Sequence, residues 1–415
     1  MKQVGIPWGN WYSQKPMILS FPDDWEINLC AMEHRPALSE QELEDRINAP
    51  IGTAQLEEMA RGKKSACIVI DDISRPTPGS FILPVIIKKL LNSGIPAQEI
   101  RVLLALGAHR PMTRDDMEKK VGKYVLENVQ VINHNPFSKD LVTIGDDSSI
   151  KINRVYYESE LRILVGCIVP HTLAGFSGGA KNIIPGIGGI ETLESNHNKV
   201  YVDSSVSKTF KNNTLNPDNP VRRNMEAIVE TCGVDFIVNV ILNDKLQVAE
   251  AFAGHFIKAH REACNCAKQF YRTRLVPDAD VVLLNAYPKD TEYSQVGTAF
   301  SVLGHHKAAC FSQNSSLILS TAASEGAGYH SLFGPGMQLF TPHDDNVLPP
   351  EIGHVETCIF STGVRDFDIR PYYSKRRVPL YNDWDSILQR LIKKHAKAKV
   401  AIYPLASMQI GYLDE

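Results

Sequence analysis

Several common signatures are missing from this sequence, and each absence excludes a class of protein. The 415-residue chain has no run of about 18 or more apolar residues, so no transmembrane helix and no membrane partner are predicted. Its first residues, Met1 to Trp8, lack the apolar core of a secretory signal peptide. The eight cysteines form no C-x-x-C pair and do not indicate a disulfide framework. We therefore expect a cytoplasmic protein.

The chain also lacks an excess of positive charge. It carries 44 Lys and Arg against 47 Asp and Glu, a formal net charge of −3. A nucleic-acid-binding protein usually has a basic surface, so no nucleic-acid partner is predicted. The 43% of hydrophobic and 22% of charged residues are typical of a globular protein, and the length allows two or three domains.

Three familiar ligand-binding motifs are absent as well. A phosphate-binding loop has the pattern Gly-x-x-x-x-Gly-Lys followed by Ser or Thr. The stretch from Gly175 to Lys181 does not have this spacing, and its lysine is followed by Asn182 instead of Ser or Thr. No Gly-x-Gly-x-x-Gly opens a helix after a strand here, as a dinucleotide-binding fingerprint requires. No H-E-x-x-H or Cys/His zinc pattern occurs, which argues against a zinc hydrolase.

What the chain does contain is an alternation of short apolar runs with helical periodicity, which predicts an α/β fold with mostly parallel sheets. The first half has strand candidates at Cys67–Ile70, Val102–Leu106 and Arg162–Val169, and a helix at Phe81–Leu91. Each strand is followed by polar residues. Open α/β sheets bind ligands just beyond the carboxyl ends of their strands, so a site is expected there.

Near residue 270 the pattern starts again after a predicted helix over 255–272. Further elements are predicted as strands at 281–284, 316–320, 355–360 and 400–403 and helices at 294–309 and 384–395. We therefore predict two domains, each with a mostly parallel sheet flanked by helices. Residues 1–270, with 403–415 returning to them, form the cofactor-binding and catalytic domain, and 271–402 form a smaller Rossmann-like domain.

Two short stretches carry candidate chemistry beyond the first strands. Asp72 and Arg75 flank a proline-stiffened turn, where Arg75 suits a carboxylate ligand; an Asp–Arg pair that only braces the turn is an equal alternative. His109 follows the second strand, and its side chain suits proton transfer near neutral pH. A histidine at such a position can also be a simple polar residue.

The most unusual stretch runs from His171 through Lys181 to His197, with six glycines between the two histidines. Glycine lets a backbone turn sharply and lets a ligand approach closely. A lysine in such a loop is either a solvated side chain or a covalent attachment point. His197 taken alone is a weak candidate for a metal ligand.

The combination of these motifs resembles the lactate racemase family. The residues that carry the resemblance are Asp72-x-x-Arg75-Pro76-Thr77-Pro78, Gly107-Ala108-His109-Arg110-Pro111, His171-x-x-x-Gly175-Phe176-Ser177-Gly178-Gly179-x-Lys181 and Asn196-His197. The resemblance spans most of the chain. It implies a two-domain enzyme with its active site in the interdomain cleft.

The resemblance also implies a cofactor and residue roles. The cofactor is a nickel-pincer nucleotide, the pyridinium-3-thioamide-5-thiocarboxylic acid mononucleotide with nickel, linked covalently to Lys181. His197 is the implied metal ligand, and His109 and His171 are the catalytic acid/base pair. The implied cofactor-binding residues further include Asp72, Gly175, Ser177, Gly178 and Gly179, and the implied substrate-binding residues are Arg75 and Gln295. Proteins that synthesise the cofactor are implied partners, and a homo-oligomer is an open alternative.

The second domain departs from the family pattern. The family has Tyr-Gln followed by a lysine three residues after the Gln, whereas Ser294 and Thr298 stand here around Gln295. The family's second-domain tryptophan has no counterpart, since Glu351-Ile352-Gly353-His354 occupy that region. We therefore add Ser294 and Thr298 to the substrate-binding candidates.

The resemblance implies a racemase or epimerase that inverts C2 of a 2-hydroxy acid by reversible hydride transfer, and the differences at Ser294 and Thr298 predict a gluconate-type sugar acid as its substrate. Two small hydroxyls could bind the hydroxyl groups of a longer acid. The alternative is lactate or another small 2-hydroxy acid, with a lysine such as Lys289 filling the gap. A non-catalytic cofactor-binding protein is an alternative of another class, although such a protein would not need both His109 and His171.

Overall fold

The computed structural model describes the whole chain except residues 14, 146–149, 172, 203–214, 217, 341–347, 349, 374–377 and 415, and it leaves out the side chains of 198–202 and 350. The described residues form two compact units, one of 34–270 and the other of 1–33 with 271–415. No helix among them is both long and apolar enough to cross a membrane.

The strands are numbered in chain order. They are β1 (Lys2–Ile6), β2 (Met17–Phe21), β3 (Glu26–Leu29), β4 (Ala66–Asp71), β5 (Ile100–Ala105), β6 (Gln130–Asn133), β7 (Leu141–Thr143), β8 (Lys151–Asn153), β9 (Leu161–Cys167), β10 (Pro170–His171), β11 (Gly175–Phe176), β12 (Phe236–Leu242), β13 (Val248–Gly254), β14 (Arg272–Arg274), β15 (Ala279–Asn285), β16 (Phe311–Thr321), β17 (Glu356–Ser361), β18 (Leu380–Tyr381), β19 (Lys399–Tyr403) and β20 (Ile410–Tyr412).

The α-helices are Glu40–Asn48, Leu56–Ala60, Gly79–Asn92, Arg114–Asn128, Arg154–Glu158, Ile190–Val202, Pro220–Cys232, Lys258–Phe270, Asp366–Ile369 and Trp384–Lys394. Short 3₁₀ helices cover Ala97–Glu99, Gly179–Asn182, Tyr293–Leu303, Lys307–Cys310, Pro350–Ile352 and Arg370–Tyr372. The helix Arg114–Asn128 is interrupted at Gly122, which has a φ of 82°.

The unit of residues 34–270 is built on a six-stranded sheet in the order β13-β12-β9-β4-β5-β6. All neighbouring pairs are parallel except β12 with β13. Every residue of β4 is buried, as expected for a central strand covered on both faces. Because β9, β4 and β5 are adjacent and parallel, the loops after them emerge side by side at one edge of the sheet.

The other unit has its own six-stranded sheet, in the order β18-β17-β16-β15-β19-β3, in which all neighbouring pairs are parallel. The predicted mixed α/β class with parallel sheets is therefore confirmed. The predicted strands of both halves lie within or overlap the observed ones, because runs of buried aliphatic residues are a strong local signal.

The predicted domain limits need correction at both termini. We grouped residues 1–33 and 403–415 with the first domain, but β3 pairs with β19 and β20 pairs with β14. Both ends of the chain therefore belong to the unit that contains 271–402. Which strand a short edge strand joins depends on long-range pairing, which a local pattern does not reveal.

Two helix predictions also change. The helix predicted over 294–309 is two 3₁₀ helices, Tyr293–Leu303 and Lys307–Cys310, separated at Gly304 with its φ of 51°. The helix predicted over 255–272 is shorter and spans Lys258–Phe270. In both cases the local pattern predicted a helix but gave its type or its ends incorrectly.

Candidate functional site

Three loops of the unit of residues 34–270 bring four of the predicted residues to one edge of its sheet. Asp72 and Arg75 follow β4, His109 follows β5, and His171 lies at the end of the connection after β9. These are the central strands of the sheet, and their carboxyl ends are the usual place for a ligand in a parallel α/β sheet.

His109 is held by two neighbours from the β4 loop. Asp72 Oδ2 lies 2.6 Å from His109 Nδ1, and Ser74 Oγ lies 3.1 Å from the same nitrogen. The Ser74 hydroxyl donates its own proton to Asp72 Oδ1 at 2.5 Å, so it can only accept from the histidine. Both neighbours of Nδ1 are therefore acceptors. They place the ring proton of neutral His109 on Nδ1 and its lone pair on Nε2.

Asp72 is well suited to this arrangement because it stays ionised. Its side chain is buried, and burial alone would raise its pKa. The nearby His109, with which it is also hydrogen-bonded, together with Arg75 and the Ser74 hydroxyl, outweighs that effect and holds the pKa of Asp72 well below its usual range. A histidine whose Nδ1 contacts a buried carboxylate is the arrangement found in catalytic triads.

The backbone beneath Arg75 is fixed by a buried ion pair that the sequence analysis missed. Lys120 Nζ lies 2.7 Å from Asp71 Oδ1 and donates to the carbonyl of Arg75 at 2.8 Å. Thr77 Oγ1 donates to Asp71 Oδ2 at 2.6 Å and accepts from the amide of Cys167 at 3.0 Å. This network ties the β4 loop to the end of β9. A lysine in a helix gives no local sign that it is buried, so only the fold could identify Lys120.

Arg75 itself is 9% exposed, and its guanidinium Nη1 donates to Ser74 Oγ at 3.1 Å and to the Ser74 carbonyl at 3.3 Å. The guanidinium therefore lies in the same cluster as Asp72 and His109. Its planar group of N–H donors suits a carboxylate ligand.

His171 lies in the short antiparallel pair of β10 and β11 and is held differently from His109. Its Nδ1 accepts hydrogen bonds from the backbone amides of Leu173 and Ala174, each at 3.2 Å. Thr172, which lies between His171 and Leu173 in the sequence, is outside the described part of the chain.

The glycines that follow His171 are required by backbone conformation and by packing. Gly175, Gly178 and Gly179 have φ values of 73°, 74° and 56°. A Cβ on Gly178 would lie 2.5 Å from Asn239 Oδ1, and one on Gly179 would lie 2.9 Å from His260 Cδ2. Both values are shorter than van der Waals contact, so these two positions cannot carry a side chain without rearrangement.

Ser177 lies within the same loop with its hydroxyl turned to the backbone. The hydroxyl donates to the carbonyl of Cys167 at 2.5 Å and accepts from the amide of Val169 at 2.9 Å. The loop is thereby fastened to the end of β9. These contacts fix the shape of a glycine-rich loop that would otherwise be mobile.

Arg222 is the second important residue that the sequence analysis missed. This fully buried arginine on helix Pro220–Cys232 donates to the carbonyls of Ala174, Phe176 and Gly178. Burial lowers its pKa to about 10, which still leaves it charged at neutral pH. One guanidinium thus fixes three carbonyls of the glycine-rich loop. Arg222 belongs to no recognisable sequence motif, so the sequence alone could not have identified it.

Lys181 and His197 follow this loop. Lys181 is half-buried on the 3₁₀ helix Gly179–Asn182. His197 is buried on helix Ile190–Val202, and its Nδ1 lies 2.6 Å from the carbonyl of Leu193, so Nδ1 donates there and Nε2 carries the lone pair.

The environment of His197 keeps its imidazole neutral. Burial lowers its pKa to about 4, against the effect of the Leu193 hydrogen bond, and electrostatic interactions with Lys181 and His109 lower the pKa further. These interactions also show that the three side chains lie close enough to influence one another.

These residues fit a covalently held metal cofactor. Neutral imidazole is the form that binds a metal ion, and metal-binding histidines usually donate their other N–H to a carbonyl, as His197 does to Leu193. Lys181 supplies a primary amine near it. Within the described residues there is no group of three or more His, Cys, Asp or Glu side chains placed to hold a metal ion.

Ser294, Gln295 and Thr298 lie in the other unit, on the 3₁₀ helix Tyr293–Leu303. The Ser294 hydroxyl donates to Glu292 Oε2 at 3.0 Å, and the Thr298 hydroxyl donates to the carbonyl of Gln295 at 2.7 Å. Lys289 belongs to the same unit and is buried. That these residues face the first unit across a cleft stays a prediction.

The buried histidines predict a loss of stability in mild acid. His134 is 1% exposed, donates from Nε2 to the carbonyl of Gly188 at 2.9 Å and accepts at Nδ1 from Asn153 at 3.1 Å. Burial lowers its pKa to about 4. Since the unfolded chain binds the proton near pH 6.5, stability is full above that pH and is lost as the pH falls from 6.5 towards 4.

Urea unfolding at pH 7 and pH 4.5 measures this effect. His134 should account for about 2–3 kcal/mol of the loss, so His134→Gln should lose less stability than the natural chain over the same interval. The exposed His354 provides a matched control, since His354→Gln should leave the dependence unchanged. An identical pH dependence in His134→Gln and the natural chain would contradict the prediction.

The chain is similar in sequence to known lactate racemases. A protein-family model described as the lactate racemase N-terminal domain matches residues 12–209. The lactate racemase of Thermoanaerobacterium thermosaccharolyticum is 30% identical over 305 residues, which cover 71% of this chain and 69% of that protein. The lactate racemase of Lactiplantibacillus plantarum is 32% identical over 313 residues, covering 73% and 72%.

Two solved structures share the fold. The lactate racemase apoprotein of Thermoanaerobacterium thermosaccharolyticum matches with a TM-score of 0.72 at 22% identity, over 99% of this chain and 100% of that one. A protein of Thermotoga maritima matches with a TM-score of 0.65 at 17% identity, over 92% and 100%. At these identities the two matches establish the fold of the chain.

Proposed function

The chain belongs to the lactate racemase family, and from that premise we propose that it interconverts the two enantiomers of a small 2-hydroxy acid, with lactate as the first candidate. The observation that carries the proposal is the buried Asp72–His109 pair. It provides a lone pair on His109 Nε2 for the substrate's hydroxyl proton, and it lies beside Arg75, a ligand for the substrate's carboxylate.

We propose that Lys181 and His197 hold the nickel-pincer nucleotide that the family resemblance implies. When bound, such a group supplies a reversible acceptor for the hydride of the substrate's Cα. The neutral imidazole of His197 and the nearby amine of Lys181 support this assignment. The backbone of Gly175, Gly178 and Gly179 would line the nucleotide site, while Ser177 and Arg222 keep that backbone in place.

The protein's own side chains would carry the rest of the reaction. Arg75 would orient the substrate through its carboxylate, and His109 would accept the hydroxyl proton at Nε2 with Asp72 stabilising the resulting imidazolium. His171 would act at the opposite side, because the hydroxyl group points in opposite directions in the two enantiomers. Proton transfer by a positioned side chain typically contributes ~10²–10⁴-fold.

The sugar-acid specificity expected from Ser294 and Thr298 lacks support, and the lactate alternative is favoured. Both relatives that match over about 70% of the chain are named lactate racemase. Both hydroxyls also donate their protons within the protein, to Glu292 and to the carbonyl of Gln295, rather than holding them for a substrate. Proteins that synthesise and insert the cofactor, and a homo-oligomeric state, remain part of the proposal.

The deciding experiment is a comparison of kcat/KM for lactate, malate and gluconate on one preparation of cofactor-loaded protein. Lactate should exceed gluconate by at least about tenfold, since a hydroxyl of gluconate that is buried without a hydrogen-bond partner costs about 1–3 kcal/mol. A higher value for gluconate would restore the sugar-acid alternative. No inversion of any 2-hydroxy acid by fully loaded protein would favour a non-catalytic cofactor-binding protein.

A further inference from the structure

The two histidines assigned to proton transfer are held by opposite kinds of neighbours. His109 Nδ1 faces acceptors, namely Asp72 Oδ2 at 2.6 Å and the Ser74 hydroxyl at 3.1 Å. His171 Nδ1 faces two donors, the backbone amides of Leu173 and Ala174, each at 3.2 Å. A neutral imidazole has one protonated and one unprotonated nitrogen, so its neighbours decide which is which.

From this contrast we infer that the two histidines are fixed in opposite tautomers and do different work: His109 is the proton acceptor, and His171 is a hydrogen-bond donor. In His109 the proton is on Nδ1 and the lone pair is on Nε2. In His171 the lone pair on Nδ1 accepts from the two amides, so the proton is on Nε2. The inference rests on the proposed racemase function for its catalytic consequence, but the tautomers themselves do not depend on it.

The contacts that fix each tautomer come from rigid parts of the unit. Asp72 and Ser74 are buried, and the β4 loop that carries them is tied by Lys120 to Asp71 and to the carbonyl of Arg75. Around His171, the carbonyl of Ala174 accepts from the buried guanidinium of Arg222. One of the two amide donors to His171 therefore belongs to a residue whose carbonyl is held by Arg222.

The tautomer difference gives the two enantiomers different chemistry. An enantiomer whose hydroxyl faces His109 meets an acceptor and can transfer its proton at once; the alkoxide of the product then takes the Nε2 proton of His171, Nδ1 of His171 takes one from water, and His109 releases its extra proton to water. One whose hydroxyl faces His171 meets an N–H, and His171 can act as a base only after its tautomer changes. In that change Nε2 gives its proton to water and Nδ1 takes one from water, which breaks both amide contacts. Losing two hydrogen bonds of ordinary strength corresponds to roughly tenfold or more in rate.

The two enantiomers should therefore differ in kcat and in KM, but not in kcat/KM. Enantiomers have equal free energies in water, so the equilibrium constant is one and kcat/KM must be the same in both directions. We expect kcat for one enantiomer of lactate to exceed kcat for the other by roughly tenfold or more. The two KM values should differ by the same factor.

The tautomers can be measured without cofactor or substrate. In the full-length protein labelled with ¹⁵N at its 13 histidines, long-range ¹H–¹⁵N correlation spectra identify the protonated nitrogen of each neutral ring. The variants His109→Gln and His171→Gln assign the two sets of signals. We expect an Nδ1–H ring for His109 and an Nε2–H ring for His171. Asp72→Leu should let both tautomers of His109 appear while the His171 signals stay as they were.

Each result decides one point. An Nδ1–H ring or a tautomer mixture at His171 overturns the inference, and so do equal kcat values for the two enantiomers of lactate. If the spectra give the expected tautomers but the loaded protein inverts no 2-hydroxy acid, the proposed function fails while the tautomer assignment stands.

Discussion

Replacing Lys181 with arginine should abolish covalent attachment of the cofactor, a loss from full occupancy to none. Arginine keeps the positive charge at this half-buried position, but its guanidinium cannot form the amide-type bond that a primary amine forms. Protein produced together with the cofactor-synthesis enzymes should carry a nucleotide-sized mass adduct on the peptide that contains Lys181. The Lys181→Arg protein should carry none, and its racemase activity should fall below detection.

Intact-protein and peptide mass spectrometry measure this result. The exposed Lys139 provides the matched control, and Lys139→Arg should keep the full adduct. His197→Ala separates attachment from metal binding, since it should retain the adduct and lose the nickel. An adduct mapped to any other lysine would show that the assignment of Lys181 is mistaken.

Asp72→Asn should lower kcat by roughly 10³–10⁴-fold with little change in KM. The asparagine amide group can donate to Nδ1 of His109, which would favour the tautomer with its proton on Nε2 and remove the acceptor that the substrate needs. The corresponding carboxylate-to-amide change in a serine protease triad costs about 10⁴-fold in kcat for the same reason. The interaction concerned is the 2.6 Å contact between Asp72 and His109.

Ser74→Ala is the matched control for this variant. It removes the weaker 3.1 Å contact to His109 but leaves the carboxylate in place, so kcat should fall by no more than about tenfold. Steady-state kinetics with both enantiomers and circular dichroism of each variant measure the outcome. A kcat for folded Asp72→Asn within tenfold of the natural protein would rule out the role assigned to Asp72.

The positions of Asp72 and His109 in the fold could be predicted from the sequence because both residues follow buried strands. Asp72 directly follows one buried aliphatic run, and His109 follows another after a short turn. Parallel strands bring their carboxyl ends to one edge of the sheet. The direct contact between the two side chains agrees with that expectation. Their roles rest on the family resemblance, and the experiments above test them.

The supporting residues could not be predicted in this way. Lys120 and Arg222 are charged residues on helices, and local sequence favours an exposed position for both. Their burial arises only when the folded unit supplies carbonyl and carboxylate partners, such as Asp71 for Lys120 and the loop carbonyls for Arg222. The unit to which residues 1–33 belong was not predicted for a related reason. It is determined by the pairing of β3 with β19, and these two strands are far apart in the sequence.

The close packing of Gly178 and Gly179 has a consequence for protein engineering. Proteins are often stabilised by exchanging glycine for alanine, which reduces the entropy of the unfolded chain. At these positions the positive φ and the contacts with Asn239 and His260 turn that gain into a loss. Directed evolution towards new substrates would therefore have to leave Gly178 and Gly179 unchanged. It would find more freedom at exposed positions such as Ser294.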